Sequence, residues 1–289
     1  MSDVPGGPTP PPPPPPPPPS AMGGPQGTIP PKTLGEILSA AFNLYKANAA
    51  SLILIVAIVV VPLTFISSLF SGVVFEGSKH TTIVFGQPVE VVDRSFGLLI
   101  GGLIVTAVIS VIISAVLQAA ILRAAAQATI GDPVDPQESY RFGFKRLGSV
   151  ILVSLLVGLA VAAGLILLVI PGLIFLIFLS VSVPVLIVEN RRGRAALSRS
   201  WNLVKGHFWH AVGVIIVAGI ITGIVGGIIG SIGGDVWVVR WIFSSIGTII
   251  TAPFTALVSV LLYLDLRSRS EALTADTLRT ELAAAGASG

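Results

Sequence analysis

Residues 149–188 read SVILVSLLVGLAVAAGLILLVIPGLIFLIFLSVSVPVLIV, a stretch without a single charged side chain. One helix over this stretch would be about 60 Å long, whereas the hydrocarbon core of a bilayer is about 30 Å thick. Pro171–Gly172 interrupts the stretch near its middle, and this dipeptide is typical of a turn. The sequence therefore predicts two membrane-spanning helices joined by a tight turn.

The composition of the whole chain agrees with a membrane location. Hydrophobic residues make up 53% of the 289 residues and charged residues 11%, whereas soluble domains carry about 25% charged residues. A water-soluble globule is excluded because too few polar side chains are present to cover its surface. The chain has no cysteine, which excludes disulfides and thiolate metal sites.

Four further apolar stretches are long enough to cross a bilayer. They cover about 51–72, 96–120, 210–232 and 242–265. Together with the pair in 149–188 they predict an all-α, polytopic membrane protein with six transmembrane helices. Between the first two spans, residues 73–95 form a polar outer loop whose alternating pattern predicts a short β-hairpin.

A low-complexity segment precedes the predicted membrane domain. Residues 1–31 are Pro/Gly-rich and include ten consecutive prolines, Pro10–Pro19, which favour an extended polyproline II conformation. We expect a disordered cytoplasmic tail at 1–31, a membrane domain at 32–269 and a short cytoplasmic tail at 270–289. The proline run could alternatively be a docking ligand for an aromatic-lined groove.

The basic residues predict the orientation of the spans. Of the 17 Lys and Arg residues, Lys79, Arg94 and Arg240 fall on one side of the predicted spans and the other fourteen fall on the opposite side. Lys and Arg accumulate on the cytoplasmic side of membrane proteins. An even number of spans then places both termini in the cytoplasm, in a multi-pass protein of the cell membrane.

An internal repeat divides the chain into three units. Leu38–Lys46 (LSAAFNLYK) and Leu197–Lys205 (LSRSWNLVK) agree at six of nine positions, counting Phe against Trp as agreement, and each precedes a span. Tyr140–Lys145 holds the same station before the third span. We predict three helical hairpins, each preceded by a cytoplasmic interfacial helix, the first of which begins with a capping box of Thr33 and Glu36. All units lie the same way up, unlike inverted transporter repeats.

Three short motifs carry a resemblance to a known family. They are TLGEILSAAFNLYK at 33–46, VPVLIVEN followed by AALSRSWNLVKGHFW at 183–209, and TAPF followed by YLDLRSRSE at 251–271. Over about residues 28–272 the chain resembles the bacterial glycerophosphoryl diester phosphodiesterase membrane-domain family. The resemblance implies a six-helix membrane fold. The family's soluble catalytic barrel has no counterpart here, so the resemblance does not imply phosphodiesterase activity.

Catalytic constellations are missing from the sequence. His207 and His210 have metal-compatible spacing, but no third ligand lies near them in sequence, which favours ordinary interfacial histidines over a metal site. No cofactor motif is present, and nucleic-acid binding would need a soluble basic surface. The expected protein is therefore not an enzyme.

Two acidic residues end predicted spans beside several arginines. Glu189, Asp265, Arg267 and Arg269 form a predicted boundary charge cluster at the cytoplasmic edge, and Asp265 and Arg269 have the spacing of a helical ion pair. The favoured interpretation is that the cluster fixes helix ends. Partly hydrated pairs of this kind contribute about 1 kcal/mol or less. A coupling or gating site is the alternative.

Basic and aromatic residues accumulate between spans four and five. Candidate contacts to anionic lipids are Arg191, Arg192, Arg194, Arg199, Lys205 and Trp201. Basic residues near an inner leaflet attract anionic headgroups by about 1 kcal/mol each. The same residues would also serve ordinary topology determination.

Glycines recur on the fifth predicted span. Gly219, Gly223, Gly226, Gly227 and Gly230 form overlapping GxxxG patterns, which allow close helix approach in membranes. We predict helix packing through this face, within the chain or across a homo-oligomer.

The expected function is that of a non-enzymatic lipid-interface or scaffold protein of the bacterial cytoplasmic membrane, with membrane lipids as partners. The alternative is a transporter or lipid-handling protein with a cleft between hairpins. Polar residues that could line such a cleft are Thr106, Ser110, Ser114, Gln118, Thr248, Thr251 and Thr255.

Overall fold

The structure of the protein is a computed structural model, which describes residues 28–76, 78–84, 87–93, 96–232, 237–271 and 273–287. Side chains are described for these residues except within 66–106 and at 108, 237, 240 and 287. The predicted disordered tail therefore lies outside the described residues as far as residue 27. The side chain of Thr106 lies outside them too, as do the side chains of the basic residues predicted to face outward.

The described residues form ten helices and one hairpin. Their bounds are α1 Leu34–Ala47, α2 Ala49–Glu76, β1 Ser78–Val84, β2 Gln87–Asp93, α3 Phe96–Ile130, α4 Pro136–Leu167, α5 Val169–Phe178, α6 Ser182–Glu189, α7 Arg194–Lys205, α8 Phe208–Ser231, α9 Trp237–Ser270 and α10 Ala275–Ala287. In the described part of the chain, five helical segments are long and apolar enough to cross a membrane, or six if α1 and α2 are taken together as one bent span.

The core of the bundle lies where α3 and α9 meet near their C-terminal ends. Residues 119–128 of α3 and 260–267 of α9 are all buried. The N-terminal half of α9 and most of α8 instead expose large apolar side chains such as Ile220 and Ile242. Exposed apolar faces on long helices are what a hydrocarbon solvent favours.

The first helix begins as the sequence predicts. The Thr33 side chain accepts from the Glu36 backbone N–H, and the Glu36 carboxylate accepts from the Thr33 N–H at 2.7 Å, which confirms the capping box. α1 ends at Asn48, whose side-chain amide donates to the Leu44 carbonyl. Between α1 and the first part of α2 the chain bends by 82°, so the amphipathic helix leaves the direction of the span.

The hairpin predicted between the first two spans is also confirmed. β1 and β2 pair antiparallel, from Ser78 opposite Asp93 to Val84 opposite Gln87. The two strands continue directly from α2 and return to α3.

The long apolar stretch reverses direction at Leu168, three residues before the predicted turn. Leu168 is extended, with φ −164° and ψ 152°, between α4 and α5. Pro171 falls in the first turn of α5, where a missing N–H costs no intrahelical hydrogen bond. A Cβ on Gly164 would lie 2.8 Å from the Gly172 Cα, so the two helices need glycine at this crossing. The tip at 166–170 is apolar and exposed. Such exposure would be unfavourable in bulk water.

The middle repeat unit differs from the prediction. α4 runs without a break from Pro136 to Leu167, so this unit has no separate interfacial helix. The other two units break at Asn48 and at Gly206–His207. In α4 the Arg146 side chain is buried.

The C-terminal segment, assigned from the sequence to a short tail, forms the helix α10. Leu278, Leu282 and Ala285 are buried on one face of it. Just before it, the Leu273 carbonyl accepts from the Ile29 N–H at 2.8 Å. The two ends of the described chain are therefore joined to each other and to the bundle.

Most glycines of α8 make no close contact in the part of the chain that the structure describes. A Cβ on Gly219, Gly223, Gly227 or Gly230 would meet nothing within 4 Å, whereas Gly226 lies near Gly247 of α9. Among the described residues, these four glycines therefore take no part in helix packing within one chain. A homo-oligomer through this face stays a prediction. Close packing instead involves Gly143, where a Cβ would lie 2.8 Å from the Val116 carbonyl oxygen of α3.

Candidate functional site

Charged side chains from α6, α7, α9 and α10 converge with that of Glu271, the residue after α9. The Arg199 guanidinium donates to Glu189 Oε1 at 3.0 Å and also to Glu271. Glu189 further accepts from the Tyr263 hydroxyl at 2.9 Å. Arg267 donates to Glu271 at 3.1 Å and to Glu281 at 2.7 Å. We call these six side chains the Glu189 network.

The chain geometry after α6 places Glu189 at this point. Asn190 adopts the left-handed conformation, with φ 56°, and ends the helix. Its side-chain oxygen accepts from the Arg146 guanidinium. Gly193, also at positive φ (55°), precedes α7. The two left-handed positions turn the chain so that Arg199 of α7 faces back towards Glu189.

Asp265 is the centre of a second group, the Asp265 cluster. Its carboxylate is fully buried and accepts from the Arg269 guanidinium at 2.8 Å and from the Lys32 backbone N–H at 2.5 Å. His210 Nε2 of α8 lies 2.9 Å from the carboxylate, although the ring is not aligned for a hydrogen bond. The Arg269 guanidinium also donates to the Lys32 carbonyl at 2.6 Å. The cluster thus joins α8, α9 and the segment before α1.

The boundary charge cluster of the sequence is therefore two groups. Glu189 and Arg267 belong to the first, in which their closest charged atoms are 4.0 Å apart, and Asp265 and Arg269 belong to the second. Helical spacing placed Asp265 beside Arg269. Helical spacing could not predict the partners of Glu189, because they come from α7 and α9.

Two buried arginines hold α10, and sequence reasoning missed both roles. The Arg123 guanidinium of α3 donates to the Leu282 carbonyl at 2.8 Å, and that of Arg146 to the Ala285 carbonyl at 2.6 Å. Both guanidinium groups also lie near the Phe142 ring. Carbonyls at a helix C-terminus carry partial negative charge, so this end suits two cations. Both arginines had been counted only as cytoplasmic loop charges.

The Glu189 network pairs charged arginines with charged carboxylates. Burial alone would lower the pKa of the Arg199 guanidinium. Hydrogen bonds to Glu271 and Glu189 raise this pKa by more than burial lowers it, so it lies above its ordinary value. Burial raises the pKa of the Glu271 carboxyl, but hydrogen bonds from Arg199 and Arg267 outweigh burial and hold it below 4.5. The network is thus a set of compensated ions.

The candidate lipid contacts divide into exposed and internal residues. Arg191, Arg192, Arg194 and Lys205 are exposed, and Arg191 also pairs with Glu189 at 2.8 Å. Arg199 is internal, with a side chain 17% exposed. Trp201 stacks on Phe178, with ring centroids 4.0 Å apart. We call the four exposed residues the basic strip; Trp209, 80% exposed, follows it at the start of α8.

Several of the predicted polar residues line one cleft. It has a volume of about 410 Å³, and it is formed by α3, α9 and the junction of α5 and α6. Its polar lining residues are Ser114, Gln118, Ser180, Thr255 and Ser259. An adjoining cleft of about 320 Å³ shares Ser114 and Gln118 and adds Ser110 and Ser154. Thr248 lines neither cleft, and Thr251 belongs to a separate, mostly apolar groove against α1.

Metal and cofactor chemistry receives no support from the described residues. Among them, no group of three or more His, Asp or Glu side chains is placed to hold a metal ion. His210 instead lies beside Asp265, and His207 precedes α8.

No family model, no curated protein and no solved structure matches this chain. The resemblance to the phosphodiesterase membrane-domain family stays a prediction from three motifs.

Proposed function

We propose that the protein is a non-enzymatic lipid-interface protein of the bacterial cytoplasmic membrane that binds anionic lipids through the basic strip. In this proposal the chain crosses the membrane six times as three hairpins, with both termini in the cytoplasm. The five or six apolar helical segments support a multi-pass protein. The positions of Lys and Arg support the orientation.

The observation that carries the proposal is the separation of internal from exposed arginines. Arg199 is neutralised by Glu189 and Glu271, and Arg123 and Arg146 are directed at α10. Arg192, Arg194 and Lys205 are exposed instead, at the edge where spans end. Three exposed cations in one strip, next to an exposed Trp209, suit a layer of anionic headgroups.

The test measures which lipids surround the protein. In bilayers that mix phosphatidylcholine and phosphatidylglycerol, quenching of tryptophan by brominated lipid reports the relative affinity of each lipid. We expect phosphatidylglycerol to be enriched, and Arg192→Gln/Arg194→Gln to reduce the preference by up to about 30-fold, at about 1 kcal/mol per basic residue.

The matched control is Lys46→Gln/Arg141→Gln, which removes two exposed basic residues outside the strip. It is expected to change the preference much less. Equal effects of the two double variants would mean that only overall charge matters, and an unchanged preference in the strip variant would refute the proposal.

The alternative is a lipid-handling protein or transporter. The convergence of predicted polar residues on one cleft favours it.

A further inference from the structure

The cleft between α3, α9 and the α5–α6 junction contains polar groups without partners. Gln118 is exposed and accepts from the Ser154 hydroxyl at 3.1 Å, but its two amide N–H groups have no acceptor in the described part of the chain. The hydroxyls of Ser110, Ser114 and Ser259 also lack an intramolecular hydrogen bond there. Thr255 and Ser180, by contrast, donate to the carbonyls of Thr251 and Ile177.

These unpaired groups lie on helices predicted to cross the membrane, with Ser110, Ser114 and Gln118 in the predicted span 96–120 and Ser259 in the predicted span 242–265. Ser110 and Ser114 lie at the middle of α3, and Gln118 is one turn nearer its C-terminal end. The hydrocarbon region offers no hydrogen-bond partners, and an unsatisfied polar group there costs several kcal/mol. Three such groups on this cleft, on Ser114, Gln118 and Ser259, and a fourth on Ser110 in the adjoining cleft therefore indicate a polar occupant.

The lining also limits the chemistry of the occupant. Its polar groups are hydroxyls and one amide, and none of the side chains lining either cleft is charged. A phosphate bound there would lose its hydration without gaining a counter-ion. The remaining walls are apolar and include Leu117, Ile121 and Val183. The occupant should therefore combine an uncharged polar group with hydrocarbon.

Size and access agree with a lipid. A volume of about 410 Å³ lies within the range of small-molecule sites and would hold the polar part of a lipid while its chains extend into the bilayer. The exposed side chains of Ser114, Gln118 and Thr255 show that the cleft opens sideways at the surface of the bundle.

We propose that this cleft binds an uncharged, hydroxyl-bearing lipid of the diacylglycerol class, with the Gln118 amide as its main hydrogen-bond donor. The ligand's carbonyl or hydroxyl oxygens accept from Gln118, and the serine hydroxyls complete the polar contacts. This site goes beyond the proposed function, since it uses neither the basic strip nor anionic lipid.

The experiment uses the full chain in phosphatidylcholine nanodiscs with dioctanoylglycerol carrying a photo-crosslinking group. We expect saturable labelling of the wild-type protein. Gln118→Leu should weaken binding about tenfold, because the hydrogen bonds from the amide are lost. It should not unfold the protein, since the amide donors are unpaired and the one hydrogen bond that is lost comes from the Ser154 hydroxyl. Thr248→Val is the control, because Thr248 lines neither cleft, and it should bind as the wild type does.

Phosphatidylglycerol as competitor separates this site from the basic strip. It should not displace the probe, and Arg192→Gln/Arg194→Gln should label normally. Absence of saturable labelling, equal labelling of Gln118→Leu, or displacement by phosphatidylglycerol would each overturn the inference. A normal phosphatidylglycerol preference in Gln118→Leu would leave the proposed function standing in any of these cases.

Discussion

At the scale of single residues, the need for a glycine depends on what faces its missing Cβ. A Cβ on Gly143 would press on the Val116 carbonyl oxygen, whereas one on Gly223 meets open space. We expect Gly143→Ala to lower the free energy of unfolding by about 1–3 kcal/mol, as overpacking does. Gly223→Ala should leave it unchanged or slightly higher. Unfolding in detergent, followed by circular dichroism, measures both, and equal stability of the two variants would contradict the packing of α3 on α4.

For Asp265→Asn we expect a larger loss of stability than the sequence alone predicts. Its carboxylate is fully buried, so the assumption of a partly hydrated pair does not hold. Asp265→Asn would leave Arg269 without its counter-ion, and breaking a buried pair costs about 3–5 kcal/mol. The control is Glu138→Gln, whose side chain is 54% exposed and 3.7 Å from Arg123, and which should cost far less. A stable but inactive Asp265→Asn protein would favour the coupling site instead.

Glu271 predicts how stability changes in acid. Its folded pKa lies below the ordinary value of 4.5, because Arg199 and Arg267 outweigh burial. A depressed carboxyl pKa contributes stability above the unfolded pKa, and this contribution is lost as the pH falls through the folded pKa. Between about pH 5 and about pH 3 the wild type should therefore lose more stability than Glu271→Gln. Parallel pH profiles would show that the ion pairs contribute nothing.

At the scale of secondary structure, local signals predicted α1 and the β1–β2 hairpin. Other elements depend on long-range contacts. The capping box of Thr33 and Glu36 and the alternation in 78–93 are complete within a few residues. α10 is different: its apolar face is only Leu278, Leu282 and Ala285, and its partners Arg123 and Arg146 come from distant parts of the sequence. No local pattern could show that this segment is docked.

The docking of α10 has a measurable contribution. Deleting residues 275–287 would leave the Arg123 and Arg146 guanidinium groups without the carbonyls they bind, and each buried polar group left unpaired costs about 1–3 kcal/mol. We expect a loss of several kcal/mol in detergent unfolding. Deleting residues 2–27 should change stability little, since a proline-rich segment adds no core. If both deletions are harmless, α10 is not part of the folded unit.

At the scale of the whole molecule, the apolar periodicity predicted the membrane helices, and the charges predict their orientation. Reporter fusions after residues 130, 190 and 270 should report the cytoplasm, and fusions near 85 and 235 should report the outside. Residues 149–188 are decisive, because a helical pair that reverses at Leu168 returns the chain to its starting side. An outside signal at residue 190 would contradict three hairpins.

The polar cleft is a feature of the whole bundle that the sequence predicted only in part. Ser110, Ser114, Gln118 and Thr255 were candidates from their positions on apolar helices, and the structure brings them together. Ser180 and Ser259 also line the cleft and were not predicted. Ser180 lies in the break between α5 and α6, whose one local sign is Pro184 in the first turn of α6.

The position of α10 in the chain has a consequence for biosynthesis. Residues 275–287 are translated after every apolar helix, so Arg123, Arg146 and Arg267 have to wait in the nascent protein until the ribosome has released the helix that accepts their hydrogen bonds. Membrane insertion can therefore precede the docking of α10. A prematurely terminated chain would insert but leave these arginines without α10, and such a loosened product is what cellular proteases remove.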